Sequence, residues 1–435
     1  MNTINIDPCQ ESLISRANKV LPAGSFGNMP SNIVLERGKA GRVWDINKNE
    51  YVDFLLGSGP MFIGHAHPDV TKAIIEQAPR GTTFFANNQH GIKLAETICD
   101  AVACADQLRF VSSGSEATLY AMRLARAYRK RDKILKFEGG YHGMSDYALM
   151  SLAPKRLTNY PQPVPDSAGI PRQVSENIII APFNDKETVE SLINEYHDEL
   201  GGVIIEPFQR LIPPEDGFLE MLREITFKYS IPLIFDEIVT GFRFSYGGAQ
   251  EYYNVTPDLC TLGKIIGGGF PVAAICGRSE IMRHFDKALV GEENFLPQIG
   301  TLSGNPLASV AGLATLDVLK SDLSYKKVFD TGRQLMEGLR VAMRNNGHIA
   351  EVIGEPPLFD VFFSSKKIRN YRDILQSDAK KAIKFNQLLR ERKVFKGDSK
   401  FYISAAHDQD DIDLTILAMN DAAEELKKFS FDTNN

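Results

Sequence analysis

The stretch Ile231-Pro232-Leu233-Ile234-Phe235-Asp236-Glu237 is a short apolar run that ends in two carboxylates. Short apolar runs closed by a polar or glycine-containing turn are typical of strands buried on both faces of a parallel sheet. The strand here would cover Pro232 to Phe235, and similar runs occur at Leu108 to Val111, Ile134 to Phe137 and Gly202 to Ile205. Amphipathic stretches separate these runs, which predicts an α/β domain with a mainly parallel sheet and crossover helices.

The rest of the chain predicts a second, smaller domain. At 435 residues the chain is long for one compact unit. We expect residues 61–305 to form the large domain and residues 1–60 and 306–435 to form a smaller α+β domain together. The elements predicted for the smaller domain are a helix at Pro306 to Leu319, strands at Tyr51 to Leu55, Leu358 to Phe363 and Phe401 to Ala405, and a final helix capped by Asp410 and Asp411.

Composition points to a small-molecule partner. The net charge is -6 and the pI is near 5.8, and no basic cluster stands beside aromatics, so nucleic acid and anionic membranes are excluded as main partners. Five scattered cysteines form neither a disulfide framework nor a zinc motif. The N-terminus, Met1 to Pro8, lacks the pattern of a secretion signal, and no apolar run is long enough to span a membrane. These features predict a cytoplasmic protein.

Residues Ser112-Ser113-Gly114-Ser115 form a small polar turn between a predicted strand and a helix that ends near Arg129. Free N–H groups at a helix start favour a phosphate, and small residues let it approach. A serine that merely caps a crossover helix is the more common meaning of such a turn taken singly.

A second turn, Glu138-Gly139-Gly140-Tyr141-His142-Gly143, follows another predicted strand. The glycines leave room for Tyr141 to cover a flat ligand. Ordinary packing of Tyr141 and a structural, hydrogen-bonded role for His142 are the alternatives.

Two ionisable residues stand out because their surroundings are apolar. Asp236 ends a strand where charge is costly unless it is paired, and a protonated pyridine nitrogen would be a suitable partner, although a helix-capping role is equally common. Lys264 lies in Thr261-Leu-Gly-Lys-Ile-Ile-Gly-Gly-Gly-Phe-Pro271, where burial would lower its pKa and suit it to form a Schiff base. A lysine at the edge of a flexible loop is the alternative.

A metal site is not expected. His65 and His67 have an HxH spacing, but no further histidine or cysteine lies near them in sequence. No HExxH, GxSxG or Walker-type motif occurs either.

The order and spacing of these motifs together resemble the class III pyridoxal-phosphate (PLP) aminotransferases of fold type I. Within that family the chain is most similar to the glutamate-1-semialdehyde 2,1-aminomutases. The likeness extends from Leu21-Pro22 to Ala405-Ala406-His407, and its other parts are Tyr51-Val-Asp53, Gly59-Pro-Met61, Gly64-His-Ala-His-Pro68, Arg131 to Glu138 and Gly300-Thr-Leu-Ser-Gly-Asn-Pro306.

This resemblance implies a fold type I transferase whose large domain has a mainly parallel, seven-stranded type of sheet. It also implies a PLP site in which Lys264 forms the Schiff base and Asp236 pairs with the pyridine nitrogen. Tyr141 would stack on one face of the ring and Ile238 on the other, while Gly114 and Ser115 would hold the phosphate. His142 and Glu206 are counted among the residues around the cofactor. Thr301 would bind the phosphate of the neighbouring subunit, which implies a homodimer with shared sites.

The departures from the mutases concern the substrate. The arginine that follows Leu-Pro-Gly-Gly in those enzymes is missing from Ser25-Phe-Gly-Asn-Met-Pro30, and a pocket tryptophan is replaced in Gly57-Ser-Gly-Pro60. Pro297-Gln298 and the segment Met144 to Ile170, which corresponds to the mutases' gating loop, also differ.

We therefore predict intermolecular transamination between an amine or amino acid and an aldehyde or keto acceptor. The alternatives are the aminomutase reaction, racemase or epimerase chemistry, and cofactor binding without catalysis. Amino sugars, ω-amines and β-amino acids all remain open as substrates. Arg210 and Arg243 are candidate replacements for the missing arginine.

Overall fold

The computed structural model describes residues 9–29 and 33–429, so Met1 to Pro8 and Pro30 lie outside the described residues. The strands in chain order are β1 (Leu35–Lys39), β2 (Arg42–Asp45), β3 (Glu50–Asp53), β4 (Gln107–Val111), β5 (Lys133–Phe137), β6 (Ile178–Ala181), β7 (Leu200–Ile205), β8 (Leu233–Glu237), β9 (Leu259–Leu262), β10 (Ala273–Gly277), β11 (Glu351–Glu355), β12 (Leu358–Phe362), β13 (Val394–Phe395) and β14 (Phe401–Tyr402).

Helices separate most of these strands. They are α1 (Gln10–Val20), α2 (Pro68–Gln77), α3 (Gln89–Ala101), α4 (Gly114–Arg129), α5 (Lys186–Tyr196), α6 (Phe218–Lys228), α7 (Ala249–Tyr252), α8 (Ser279–Met282), α9 (Lys287–Val290), α10 (Pro306–Leu319), α11 (Asp322–Asn345), α12 (Tyr371–Ile374), α13 (Ala379–Glu391) and α14 (Gln409–Leu426).

The largest sheet has seven strands in the order β4-β10-β9-β8-β7-β5-β6. β10 is antiparallel to both of its neighbours, and the other adjacent pairs are parallel. All four strands expected from the sequence are present, although β5, β7 and β4 begin earlier than predicted and β8 ends two residues later. Because the carboxyl ends of parallel strands share one edge, the turns after β4, β5, β7, β8 and β9 lie on the same side.

Alternate residues of the central strands belong to different cores. Ile204 and Ile234 pack in the core that includes α4, whereas Val203, Ile205 and Phe235 pack in the larger core on the other face. Successive side chains of a strand point to opposite faces, so continuous apolar runs are what a sheet covered on both sides requires.

The two ends of the chain meet in a second sheet. β13 pairs in parallel with β3, with Val394 opposite Val52, in a sheet ordered β1-β2-β3-β13. A third sheet, β11-β12-β14, lies in the C-terminal part. We propose that the domain boundaries lie near residues 60 and 305, because β3 ends before the first position and α10 begins with Pro306, directly after the second.

The smaller domain differs from the sequence prediction in several details. The strand expected at Tyr51 to Leu55 is Glu50–Asp53, because the N–H groups of Leu55 and Leu56 donate to the Asp53 carboxylate, and the strand expected at Leu358 to Phe363 ends at Phe362. The strand expected at Phe401 to Ala405 is only Phe401–Tyr402, because the next N–H groups bond outside the sheet, with Ile403 donating to Pro357 and Ala405 to Phe62. The helix α14 is capped by Asp408 and not by Asp410. The Asp408 carboxylate accepts from the N–H of Asp411 at 3.0 Å, and Asp411 bonds back in a capping box.

Other side chains of interest have local roles. His65 Nε2 lies 2.7 Å from Asp53 Oδ2, and His67 caps α2 by accepting from the N–H of Asp69. The helix at Pro306–Leu319 has the predicted bounds. Within residues 9–29 and 33–429, no helix combines the length and apolar character needed to cross a bilayer.

Candidate active site

A cavity of about 660 Å³ opens at the carboxyl edge of the central sheet, where segments from both ends of the chain cover it. The strand ends and turns of the large sheet contribute seven residues to its lining: Tyr141, Glu206, Arg210, Asp236, Ile238, Val239 and Lys264. The covering segments are the loop before β1, the turn after β3 and the hairpin between β13 and β14. Their lining residues include Met29, Leu55, Ser58, Lys400 and Tyr402.

Lys264 lies directly after β9, at the start of a single turn of 3-10 helix. Its φ of 49° is in the left-handed region, which costs a residue with a side chain roughly 1 kcal/mol or more. Its Nζ donates to the carbonyl of Ser58 at 2.8 Å and forms no ion pair within the described chain. Burial lowers the pKa of Lys264, so the amine loses its proton more readily than an exposed lysine.

Asp236 is held from two sides at the end of β8. One carboxylate oxygen lies 2.8 Å from His142 Nδ1, and the other accepts from Thr261 Oγ1 at 3.0 Å and from the N–H of Ile238 at 3.2 Å. The side chains of Asp236 and His142 are nearly inaccessible, with 3% and 1% exposure. A carboxylate fixed in this way at the cavity wall presents a directed negative charge.

His142 links the turn after β5 to this carboxylate. Its own carbonyl accepts from Thr118 Oγ1 at 2.6 Å, which ties the turn to α4. Its Nε2 is buried and has no hydrogen-bond partner among the described residues. The structural role that sequence favoured for His142 thus holds in part, but the residue also positions a candidate catalytic group.

The start of α4 offers unpaired backbone donors beside this site. Ser113 caps the helix through the N–H of Glu116, whereas the N–H groups of Gly114 and Ser115 have no acceptor in the described part of the chain. A Cβ on Gly114 would lie 3.2 Å from Ile238 Cδ1. Glycine therefore lets the helix start approach Ile238, which lines the cavity.

Tyr141 and Glu206 form the opposite wall. The N–H of Tyr141 donates to Glu206 Oε2 at 2.8 Å, and the ring is 39% exposed. Burial raises the pKa of Glu206, while the charge of Arg210 acts in the other direction. The Arg210 guanidinium lies 5.5 Å from the centre of the Tyr141 ring.

Two other residues that the sequence analysis singled out lie outside the cavity lining. Thr301 is exposed, its carbonyl accepts from Thr83 at 3.3 Å, and it does not line the cavity. Arg243 is fully buried and donates to the carbonyls of Val239 and Gly59, so it does not line the cavity either. Of the two candidate arginines, Arg210 alone faces the cavity.

Sequence reasoning missed three residues of the site. Thr261 bonds Asp236 and Ser58 bonds Lys264, and each contact joins residues that are far apart in sequence. Lys400 precedes the apolar run Phe401-Tyr-Ile403. The same kind of signal, a lysine against apolar neighbours, had singled out Lys264.

A single family model matches most of the chain. The class III aminotransferase model matches residues 24–413. A curated relative, the glutamate-1-semialdehyde 2,1-aminomutase of Syntrophomonas wolfei subsp. wolfei, is 39% identical over 428 residues, which cover 95% of this chain and 97% of the relative.

Solved structures agree with this match over the whole fold. An ω-transaminase from Sphaerobacter thermophilus superposes with a TM-score of 0.91 and is 34% identical, covering 97% of this chain and 99% of that one. A structure described as a transaminase with PLP bound gives a TM-score of 0.88 at 28% identity, covering 97% and 98% of the two chains. These matches confirm the predicted PLP fold type I architecture. The chain belongs to the class III aminotransferase family.

Proposed function

We propose that the protein is a PLP-dependent aminotransferase that moves an amino group from an amine or amino-acid donor to an aldehyde or keto acceptor. The observation that carries the proposal is the pairing of Lys264 and Asp236 in one cavity. Lys264 supplies an amine with a lowered pKa, and Asp236 supplies a fixed carboxylate. A racemase would use the same two groups, so the acceptor decides between them.

The residues fit the parts of PLP. Lys264 would hold the aldehyde carbon, and Asp236 would pair with the pyridine nitrogen. Tyr141 and Ile238 would cover the two faces of the ring. The unpaired N–H groups of Gly114 and Ser115 at the start of a 16-residue helix suit the phosphate dianion.

PLP supplies an electron sink for the bond broken at the substrate carbon. Asp236 would keep the proton on the pyridine nitrogen, and His142 and Thr261 hold Asp236 in place. The amine of Lys264 would be the base that takes the proton from the substrate carbon and delivers it back during the amino transfer. The lowered pKa of Lys264 suits both steps, because the neutral amine is the base.

The loop between β5 and β6 favours intermolecular transamination, in which a second substrate accepts the amino group, and not the intramolecular shift of a mutase. An intramolecular shift needs a gate that retains the released intermediate. Here Tyr160 donates to the buried Glu138 at 2.7 Å, and Lys136 Nζ donates to the carbonyls of Ala148 and Met150. These bonds fix the loop to the body of the protein. The aminomutase reaction is the second candidate, and the 39% identity to a mutase favours it.

We also propose a homodimer in which Thr301 reaches the phosphate of the partner's cofactor. Thr301 lies in an exposed turn with Ile299 and Leu302, which are 79% and 44% exposed, and near Phe85, which is 69% exposed. Such a group of exposed apolar side chains is typical of a protein–protein interface.

The test is the absorbance of purified protein supplied with PLP, recorded after adding amines one at a time and then keto acids. We expect one amine to remove the band of the lysine-bound cofactor and a keto acid to restore it. Lys264→Ala should lack that band and lose activity by about 10²–10⁴-fold or more. Lys380→Met, an exposed lysine on α13, serves as the control.

Three results would argue against the proposal. A protein without a cofactor band is not a PLP enzyme. Recovery of the band without any added acceptor, together with a rearranged product, identifies a mutase. Inversion of an amino acid without any acceptor identifies a racemase.

A further inference from the structure

Two cations that line the cavity lack a hydrogen-bond or ion-pair partner among the described residues. Lys400, at the end of the hairpin between β13 and β14, and Arg210, after β7, both line it. In the described part of the chain, neither side chain forms a hydrogen bond or an ion pair. Each of them lies near an aromatic ring: Lys400 Nζ is 5.9 Å from the centre of the Tyr402 ring, and the Arg210 guanidinium is 5.5 Å from the centre of the Tyr141 ring.

The same hairpin shows how this fold treats a lysine with no such task. Lys396, four residues before Lys400, is 2% exposed and donates to Asp360 and Asn386 at 2.8 Å each. Burying a cation costs free energy unless the cation is paired, and the bonds to Asp360 and Asn386 offset that cost for Lys396. The chain leaves Lys400 and Arg210 unpaired where they face a cavity.

Lys400 and Arg210 are the cations left for a substrate, and they share the cavity with the Glu206 and Asp398 carboxylates. The proposed cofactor engages Lys264 and Asp236, and the Glu206 carboxylate already accepts from the N–H of Tyr141. Met29, Leu55 and Val239 supply apolar lining nearby. An amphipathic molecule with one anionic end fits this distribution, and a carboxylate matches the planar fork of arginine.

We propose that Lys400 and Arg210 bind the carboxylate of the amino-acid or keto-acid substrate, with the apolar lining receiving its side chain. The proposal rests on the proposed function for the identity of the reacting partner. It makes amino acids, and not simple amines, the preferred donors. The mutases have an arginine in the N-terminal run that corresponds to Ser25 to Pro30, and this chain lacks it. The proposal places carboxylate recognition on other segments of this chain.

The charge of Lys400 depends on pH. Burial, together with Arg210 and Arg243, lowers the pKa of Lys400 to about 7, and Glu206 opposes this shift. A bound carboxylate raises the pKa again, so binding above pH 7 takes up a proton and weakens as the pH rises. The titratable and charged groups around Lys400 are Glu206, Arg210, Arg243, Lys264, Asp398 and Tyr402.

The experiment measures binding to the PLP-loaded protein by calorimetry, with 3-phenylpropionate and its uncharged analogue 3-phenylpropionamide as probes. We expect the wild type to prefer the carboxylate by about tenfold or more near pH 6.5, and that preference to fall roughly tenfold by pH 8.5. Lys400→Met and Arg210→Met should each lose about tenfold in carboxylate affinity and keep the affinity for the amide.

Two further variants complete the set. Lys400→Arg should keep the preference for the carboxylate but take up no proton on binding, which a merely structural role for Lys400 would not produce. Lys380→Met should behave as wild type. Retained amide binding shows that a variant is folded.

The outcomes separate the two proposals. Equal or absent binding of the two probes by the wild type, or unchanged carboxylate binding in Lys400→Met, overturns the carboxylate site even if amino groups are exchanged. Lys400-dependent carboxylate binding in a protein that never exchanges amino groups overturns the aminotransferase proposal and leaves the anion site in place.

Discussion

At the scale of single residues, the structure adds a positioning role for His142. The orientation of the Asp236 carboxylate is fixed by His142 Nδ1 at one oxygen and by Thr261 Oγ1 at the other. Removing such an outer partner typically costs about 10–100-fold where an analogous site has been measured. His142 itself does not line the cavity, so its effect passes through the orientation of Asp236.

We therefore expect His142→Ala to lower kcat by roughly tenfold and to weaken cofactor retention, because Asp236 becomes free to rotate. His142→Asn, which keeps a donor near the Nδ1 position, should recover part of the loss. Dissociation of PLP, followed by its absorbance, and kcat are the measurements. His197→Ala, on the helix α5 side of the sheet, is the control. If His142→Ala lowers the free energy of unfolding but leaves kcat and PLP affinity unchanged, His142 has only a structural role.

The sequence predicted the residues of the site better than the contacts among them. Lys264, Asp236, Tyr141, Glu206 and Ile238 all line one cavity, because each follows a strand whose carboxyl end reaches the same edge. Lys400 could not be foreseen in this way. It reaches the cavity through the pairing of β13 with β3, a contact between segments more than 300 residues apart.

At the scale of elements, strands with few β-branched residues were the hardest to predict. β9 is Leu-Cys-Thr-Leu and β10 is Ala-Ala-Ile-Cys-Gly, and each has a single β-branched residue. Their pairing is decided by the sheet around them, since both are completely buried. The antiparallel direction of β10 likewise depends on its neighbours and has no local signal.

An ion pair adds to the hydrogen bonds that hold the loop between β5 and β6. Arg372 donates to the Glu138 carboxylate at 2.7 Å and to the carbonyl of Thr158, and its guanidinium lies 4.1 Å from the centre of the Tyr160 ring. Glu138 is 3% exposed, so it would remain as a buried charge without Arg372. Losing one partner of a buried pair costs about 3–5 kcal/mol.

We expect Arg372→Met to lower the free energy of unfolding by up to about 3 kcal/mol, toward the lower end because Arg372 is partly exposed and Tyr160 still bonds Glu138. Hydrogen exchange should rise in residues 144–170. Arg369→Met, in the same segment as Arg372, removes the ion pair between Arg369 and Glu215. Both side chains of this pair are partly exposed, so the loss should stay below about 1 kcal/mol. Equal losses in the two variants would contradict an anchoring role for Arg372.

At the scale of the whole molecule, the proposed phosphate position depends on donors at the start of α4. Among the described residues, no side-chain cation or hydroxyl from another segment is seen to join them. The helix start of α4 offers backbone N–H groups, whereas Thr301 is exposed and does not line the cavity of its own chain. A phosphate dianion held in a low-dielectric site usually has several donors. A second copy that presents Thr301 would supply one of them.

This reasoning predicts that dimer formation and cofactor affinity are coupled. Ile299→Asp places a charge in the exposed apolar group around Thr301, and we expect it to convert the protein to a monomer in light scattering and to lower PLP affinity by about tenfold or more, because a charge buried in an interface is costly. Ile383→Asp changes an isoleucine of similar exposure, 65% against 79%, on α13 and should leave both properties unchanged. Thr301→Ala should lower PLP affinity while the dimer persists, since it removes the hydroxyl but not the apolar contact. If Ile299→Asp yields a monomer that binds PLP as tightly as the wild type, the site is complete within one chain and the shared role of Thr301 is wrong.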